Sequence, residues 1–289
     1  MRGGQYQVML LLQGLREKGH ESVLLARENA PLWKNAKAAG HEVAPARVLE
    51  VWRRSRAFAL VHAHDAKAHT LAAVAARRQF VVSRRVAFPI KRTASSRWKY
   101  RRASEYVAVS DYVAGELRNA GVPGERISVV YDGVAPASVT KDWDPSYPVV
   151  ALRSSDPGKL EGLVAQAATL ASVRIEYTTD LPASLRQASA FLYLSSSEGL
   201  GSAALLAMSM GVPVIASRVG GLAEVFVDGS SGLYVQNDAG EIASAIRRLL
   251  DDRELALGLR AGGMARVAER FSTEAMLSET LRVYERALG

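Results

Sequence analysis

Cysteine is absent from all 289 residues. Disulfides, thiolate metal sites and a cysteine nucleophile are therefore excluded, and a reducing cytoplasm is allowed. No run of eighteen apolar residues occurs, so no transmembrane helix is expected. The opening Met1-Arg2-Gly3-Gly4-Gln5 lacks an apolar h-region, so no signal peptide is expected. Repeats of solenoid period and low-complexity segments are also missing. What remains is an ordinary globular composition, 48 % hydrophobic and 23 % charged, which excludes disorder and fibrous structure. The length suits two domains.

Charge is spread unevenly. Residues 1–147 hold 24 Lys and Arg against 13 Asp and Glu, a net of +11; residues 148–289 hold 13 against 16, a net of −3. The asymmetry agrees with two domains. It also directs the first half towards something anionic: a phosphorylated substrate, a membrane surface or nucleic acid.

Short apolar runs alternate with amphipathic stretches. Gln5 to Lys18 is a predicted helix with Val8, Leu11, Leu12 and Leu15 on one stripe. Predicted strands follow at 21–26, from 41, and at 58–62, 80–83, 106–109 and 127–130, with helices at 32–39, 66–78 and 112–120. Asp111 is the expected N-cap of the last of these helices. Between Asp132 and Pro148 the pattern fails and an interdomain linker is expected. The alternation restarts with strands at 149–152, 173–177, 191–194, 212–216 and 232–235, and three helices finish the chain from about residue 239. Strands alternating with helices specify parallel sheets covered on both faces. The expected fold is α/β, with two Rossmann-like domains and a ligand site in the cleft between them.

Two stretches concentrate the chemistry. In Ser195-Ser196-Ser197-Glu198-Gly199-Leu200-Gly201-Ser202 a strand ends, a glycine turn follows and a helix begins. Glu198 would project from the carboxyl edge of the sheet, where α/β proteins bind ligands, and the backbone N–H groups beside it would welcome a phosphate or hydroxyl. The alternative is a tight turn with a solvated glutamate. In Val212-Pro213-Val214-Ile215-Ala216-Ser217-Arg218-Val219-Gly220-Gly221-Leu222-Ala223-Glu224 a second strand runs into a Gly-Gly turn.

In this order the motifs resemble the signature of retaining family-4 glycosyltransferases of the GT-B fold. There a Ser-rich strand end is followed by Glu-Gly-Phe-Gly, a helix, Gly-x-Pro-Val-x-Ala-Ser and Gly-Gly-x-x-Glu. This chain has Glu198-Gly199-Leu200-Gly201, Gly211-Val212-Pro213-Val214-Ile215-Ala216-Ser217 and Gly220-Gly221-Leu222-Ala223-Glu224, continued by Asp228-Gly229 and Gly232-Leu233. The first half is similar too, in Gly3-Gly4-Gln5, Gly19-His20-Glu21, His62-Ala63-His64, Val109-Ser110, Gly121-Val122-Pro123 and Tyr131-Asp132-Gly133-Val134. Ser83-Arg84-Arg85-Val86 and the stretch 96–103 resemble a bacterial subgroup acting on lipopolysaccharide-type or other cell-surface glycans.

The resemblance implies residues 1–141 as acceptor domain, 142–272 as nucleotide-sugar domain and 273–289 as a helix crossing back to the first. It implies metal-independent transfer of a hexose or related sugar, with a nucleotide-sugar as substrate, a nucleoside diphosphate as product and no cofactor. Arg153 and Lys159 match the basic pair that stabilises the leaving diphosphate; the alternative is two ordinary exposed cations. Glu198 matches the carboxylate that holds the donor sugar. Gly199, Leu200, Gly201, Ser202 and Glu224 would line the donor, and Gly3 and Gly4 would let the first loop approach the diphosphate. His62, His64, Arg84 and Arg85 fall on the acceptor side, Arg85 near where the family often places a cleft histidine. Structural buried histidines, and arginines paired with acids, are the competing readings.

Three departures stand out. The family's second glutamate, which grips the ribose, is Leu206 here, so nucleotide affinity or choice should change. The strand expected before the Gly-Gly loop is not seen, and Arg153 to Glu198 is short by about one strand–helix unit. These departures keep open a degenerate, non-catalytic relative that binds a glycan or partner; an epimerase on the same fold is a third reading. The basic run from Arg84 to Arg102, interleaved with Trp98 and Tyr100, suits an anionic glycan or glycolipid acceptor, or the inner face of a membrane. A solvated basic face is the bland reading. Nucleic acid is disfavoured because no nucleic-acid motif accompanies the charge. The expected location is the cytoplasm, peripheral to that membrane face.

Overall fold

A computed structural model of the chain describes residues 3–289 apart from 136, 138–141 and 155. Two compact units form. One is Met1–Gly133 with Thr273–Gly289, and the other is Val134–Ser272.

The first unit runs α1 (Gly3–Glu17), β1 (Val23–Ala26), α2 (Pro31–Ala38), β2 (Glu42–Pro45) and α3 (Val48–Arg54). It continues with β3 (Val61–Ala63), α4 (Ala66–Ala75), β4 (Phe80–Arg84), α5 (Ala94–Arg102), β5 (Glu105–Ala108), α6 (Asp111–Asn119) and β6 (Ile127–Val129). The second unit holds β7 (Val149–Leu152), α7 (Glu161–Ala171), β8 (Ile175–Thr178), α8 (Leu181–Ser184), β9 (Ala190–Tyr193), α9 (Ser202–Ser209), β10 (Val214–Ser217) and β11 (Leu233–Val235). It ends with α10 (Ala239–Asp251) and α11 (Arg253–Arg270); α12 (Thr273–Leu288) returns to the first unit.

The second unit is a five-stranded sheet in the order β11-β10-β9-β7-β8, every pair parallel. Its strands are short and β-branched or aromatic because both faces are covered. Val149, Ala151, Leu192 and Ile215 pack on Ile242, Ile246 and Leu249 of α10. The first unit has two parallel sheets, β1-β2 and β3-β4-β5-β6. Helix α1 serves both: Val8 and Leu12 pack with Leu24, Ala26 and Ala36, while Leu11 packs with Val81, Val107 and Leu277 of α12. The helices α1 and α12 approach closely at Gly14, where a Cβ would lie 2.7 Å from a Leu277 methyl.

Several expectations are corrected. Gly3 and Gly4 form the first turn of α1 and not a preceding loop. Ser110, not Asp111, caps α6, its hydroxyl accepting from Val113 N at 3.1 Å. The segment 58–62 yields only the short, half-buried β3, because Phe58 and Leu60 lie outside the ladder. The helix after it stops at Ala75, and α3 and α5 were not foreseen as helices. Residues 136 and 138–141 of the expected linker lie outside the described residues. The rest of it is not a free tether. Val134 N donates to Phe271 O at 2.8 Å, and Trp143, buried, donates from Nε1 to Ser189 O at 2.7 Å.

Candidate active site

In the second unit the carboxyl ends of β9, β10 and β11 are locked together by side chains. Ser195 N donates to Ser217 Oγ at 3.0 Å, Ser217 Oγ to Asn237 Oδ1 at 2.6 Å, and Asn237 Nδ2 to Ser195 O at 3.2 Å. The turn after Ser195 is thereby fixed, and it carries Glu198. Gly220, at φ +50°, packs on this turn; a Cβ there would sit 2.3 Å from Glu198 O. The neighbouring Gly221 N donates to that same oxygen at 2.9 Å. Both glycines of the second motif therefore serve the first.

On the other side, a 3-10 turn at Pro157–Lys159 meets the same edge: Ser196 N donates to Gly158 O at 2.9 Å. Lys159 Nζ then reaches Glu198 Oε1 in an ion pair and donates to the Tyr193 hydroxyl at 2.9 Å. The Tyr193 hydroxyl donates to Glu198 Oε1 at 3.0 Å. Burial, and then the Glu198 charge, hold the Tyr193 phenol well above its ordinary pKa, so it stays a donor. The cluster is a closed triangle of ammonium, phenol and carboxylate. The sequence missed Tyr193, whose place in an apolar strand reads as core.

Arg153 stands apart from the triangle. It follows β7, its N–H donates to Thr178 O at 2.8 Å, and its exposed guanidinium lies over the Tyr177 ring at 5.0 Å. Gly199 and Leu200 are buried in the turn, Gly201 opens α9 at φ +106°, and Ser202 is its first residue. Leu206 is half-buried one turn further on. Glu224 ends a 3-10 turn whose carbonyl accepts from Arg266 Nη2 at 3.0 Å.

The acceptor-side residues gather at the carboxyl ends of β3 and β4. The His62 ring nitrogens contact the Tyr284 hydroxyl of α12 at 2.7 Å and the Ser83 hydroxyl at 2.8 Å. The His62 and His64 rings lie 3.9 Å apart. Arg85 Nε donates to the buried Asp132 at 2.9 Å, and Nη1 to His64 Nδ1 at 3.5 Å. Arginine only donates, so His64 carries its proton on Nε2. Burial, reinforced by Arg85, lowers the His62 pKa to about 3; His64 is lowered well below the ordinary value by burial, His62 and Arg85. Both rings are neutral at physiological pH. Arg84 is turned elsewhere, donating to Phe88 O and to the Tyr100 hydroxyl at 3.4 Å. Gly4 faces Arg85, where a Cβ would lie 3.7 Å from Cδ. Tyr284, Ser83 and Asp132 were not foreseen at this cluster. Among the described residues no group of three or more His, Asp or Glu is placed to hold a metal.

Two units built on parallel sheets agree with the GT-B class of fold that the sequence motifs resemble. Comparison with known proteins carries this to a family. Residues 1–138 match the Glycosyltransferase Family 4 sequence model, and residues 149–252 match Glycosyl transferases group 1. An uncharacterized glycosyltransferase of Methanocaldococcus jannaschii is 30 % identical over 179 residues, 61 % of this chain and 48 % of that protein. The D-inositol 3-phosphate glycosyltransferase of Acidothermus cellulolyticus is 36 % identical over 146 residues, 47 % of this chain and 31 % of that protein. The chain thus spans less than half the length of these curated relatives. Among solved structures, Anabaena HepE in complex with UDP and glucose superposes with a TM-score of 0.85 at 18 % identity, covering 98 % of this chain and 96 % of that one. The lipopolysaccharide outer core galactosyltransferase WaaB, in its apo form, superposes with a TM-score of 0.70 at 15 % identity, covering 99 % and 96 %. Both units of the chain are thus similar to glycosyltransferases of the family-4 type, the first through one sequence model and the second through the other.

Proposed function

We propose that the protein transfers a hexose or related sugar, with retention and without a metal, from a nucleoside diphosphate sugar to a cell-envelope glycan or glycolipid. The observation that carries the reading is the Lys159–Glu198 pair at the carboxyl edge of a parallel sheet, beside the glycine turn that opens α9. Lys159 takes a phosphate oxygen of the donor, and Glu198 accepts hydrogen bonds from the sugar hydroxyls. The acceptor hydroxyl attacks the anomeric carbon on the face the diphosphate leaves. The C–O bond to phosphate breaks, and the acceptor's proton passes to a phosphate oxygen of the departing nucleoside diphosphate. Fixed cations stabilise the charge developing there, Lys159 directly and Arg153 after its side chain leaves Tyr177. The likeness to a HepE structure containing UDP makes a uridine diphosphate sugar the first donor to try.

On the acceptor side, His64 Nε2–H and Arg85 are the groups that meet the incoming glycan. Helix α5 buries none of its side chains, and Arg97, Trp98, Arg101 and Arg102 are exposed on it. That face suits an anionic acceptor or the anionic inner leaflet of a membrane. No helix among the described residues is long and apolar enough to cross one.

A second reading, a non-catalytic relative that binds a glycan or partner, is favoured by Leu206, which offers no acceptor to a ribose hydroxyl. Calorimetric titration with nucleoside diphosphates and their sugars separates the two. Micromolar binding of one nucleotide, lost in Lys159→Ala and weakened in Arg153→Ala, supports transfer. A folded chain that binds none of the panel overturns it.

A further inference from the structure

We infer that Tyr193 is a positioning residue of the donor site, its hydroxyl holding Lys159 and Glu198 as one preformed unit. The inference deepens the proposed function and rests on it for the ligand's identity.

The hydroxyl is otherwise out of place. Tyr193 ends β9, its ring buried and stacked on Phe191 at 5.5 Å. Strand positions of this kind are filled by apolar side chains, and a buried phenol needs a partner for its O–H. Among the described residues its partners are Lys159 and Glu198 alone: it accepts from the ammonium at 2.9 Å and donates to the carboxylate at 3.0 Å. The ring acts as well, lying 4.5 Å from Lys159 Nζ. The turn closes over it, since a Cβ on Gly201 would meet Tyr193 Cε1 at 3.3 Å.

The consequence for a ligand follows from counting donors and acceptors. The ammonium has three N–H groups, of which one goes to Glu198 and one to Tyr193. Glu198 Oε1 accepts from both Lys159 and Tyr193, while Oε2 has no hydrogen-bond partner among the described residues. The triangle therefore presents one N–H and one carboxylate oxygen side by side, the first suited to a phosphate oxygen and the second to a sugar hydroxyl. Without the phenol, a four-carbon lysine stem and a glutamate would have to be ordered when the ligand arrives, which weakens binding.

Tyr193→Phe keeps the ring, its stacking and its contact with the ammonium, and removes only the hydroxyl. The first test needs no ligand. Competitive labelling of amines with isotopic acetic anhydride, read by peptide mass spectrometry, reports how Lys159 is held. In the unaltered chain Lys159 should react about tenfold more slowly than exposed Lys18 and Lys67, and in Tyr193→Phe much of that protection should be lost. Equal reactivity in the unaltered chain, or unchanged reactivity in the variant, overturns the inference. The second test is UDP affinity by calorimetry, expected to fall about tenfold in Tyr193→Phe with the melting temperature little changed. Unchanged affinity in a chain that binds UDP overturns the inference also. If the unaltered chain binds no nucleotide, the proposed function fails, and the labelling still decides whether Tyr193 positions the pair.

Discussion

At the scale of single residues, the donor-side geometry depends on glycines as much as on charges. Gly220 sits at φ +50° with no room for a Cβ between it and the carbonyl of Glu198. Gly220→Ala combines a disfavoured backbone conformation with a collision against main chain that cannot turn away. It should cost at least about 2 kcal/mol and move Glu198 from the triangle. Chemical denaturation and nucleotide titration of one preparation check both effects. The places of Glu198 and Arg153 just beyond strand ends were legible in the sequence, because each follows an apolar run. The orientation of Arg153 over Tyr177 was not, because an exposed cation finds its partner through tertiary contacts.

At the scale of elements, the first unit is pinned by buried polar groups. Gln7 of α1 donates to Gly133 O at 2.8 Å and accepts from Gly133 N at 3.0 Å, with the glutamine buried. Gln7→Ala leaves a main-chain donor and acceptor without partners and should cost about 2–4 kcal/mol in the unfolding of this unit. Helix α12 is tied in similarly, through Tyr284 to His62. His62 has an ordinary pKa of 6.5 and a folded value of about 3, lowered by burial and then by Arg85. Between these values the unfolded chain binds the extra proton, so stability is full above pH 6.5 and declines as pH falls towards 3. His64, Arg85, Ser83 and Tyr284 surround the ring. Melting curves across this range should show the decline, with a smaller slope in His62→Gln. Helix α5 illustrates what periodicity misses. It has no apolar stripe and its cap, Thr93 Oγ1 accepting from Ser96 N at 3.1 Å, is visible only in coordinates.

At the scale of the whole molecule, charge divides along the chain, with the excess of Lys and Arg in the first half. Each basic residue near an anionic surface contributes about 1 kcal/mol at low salt. On the proposed membrane-facing reading, vesicles containing phosphatidylglycerol should retain the protein at low ionic strength and release it as salt is raised. The triple variant Arg97→Glu, Arg101→Glu, Arg102→Glu should bind less at every salt concentration, while UDP affinity is unchanged. Vesicle co-sedimentation with the parallel titration checks this.

The sequence by itself determined the class of fold, because strand periods alternating with helix periods leave a parallel α/β arrangement as the way to bury these apolar faces. It also marked the turns after β9 and β10 as the candidate ligand turns, and Gly201 and Gly220 there do adopt the left-handed backbone that favours glycine. Tertiary structure alone decided which side chains meet. Lys159 and Tyr193 are separated by 34 residues, His62 and Tyr284 by 222. Local preference carries no information over such distances, and the pairing is set by how strands order themselves in a sheet and by the burial that forces each polar group to find a partner.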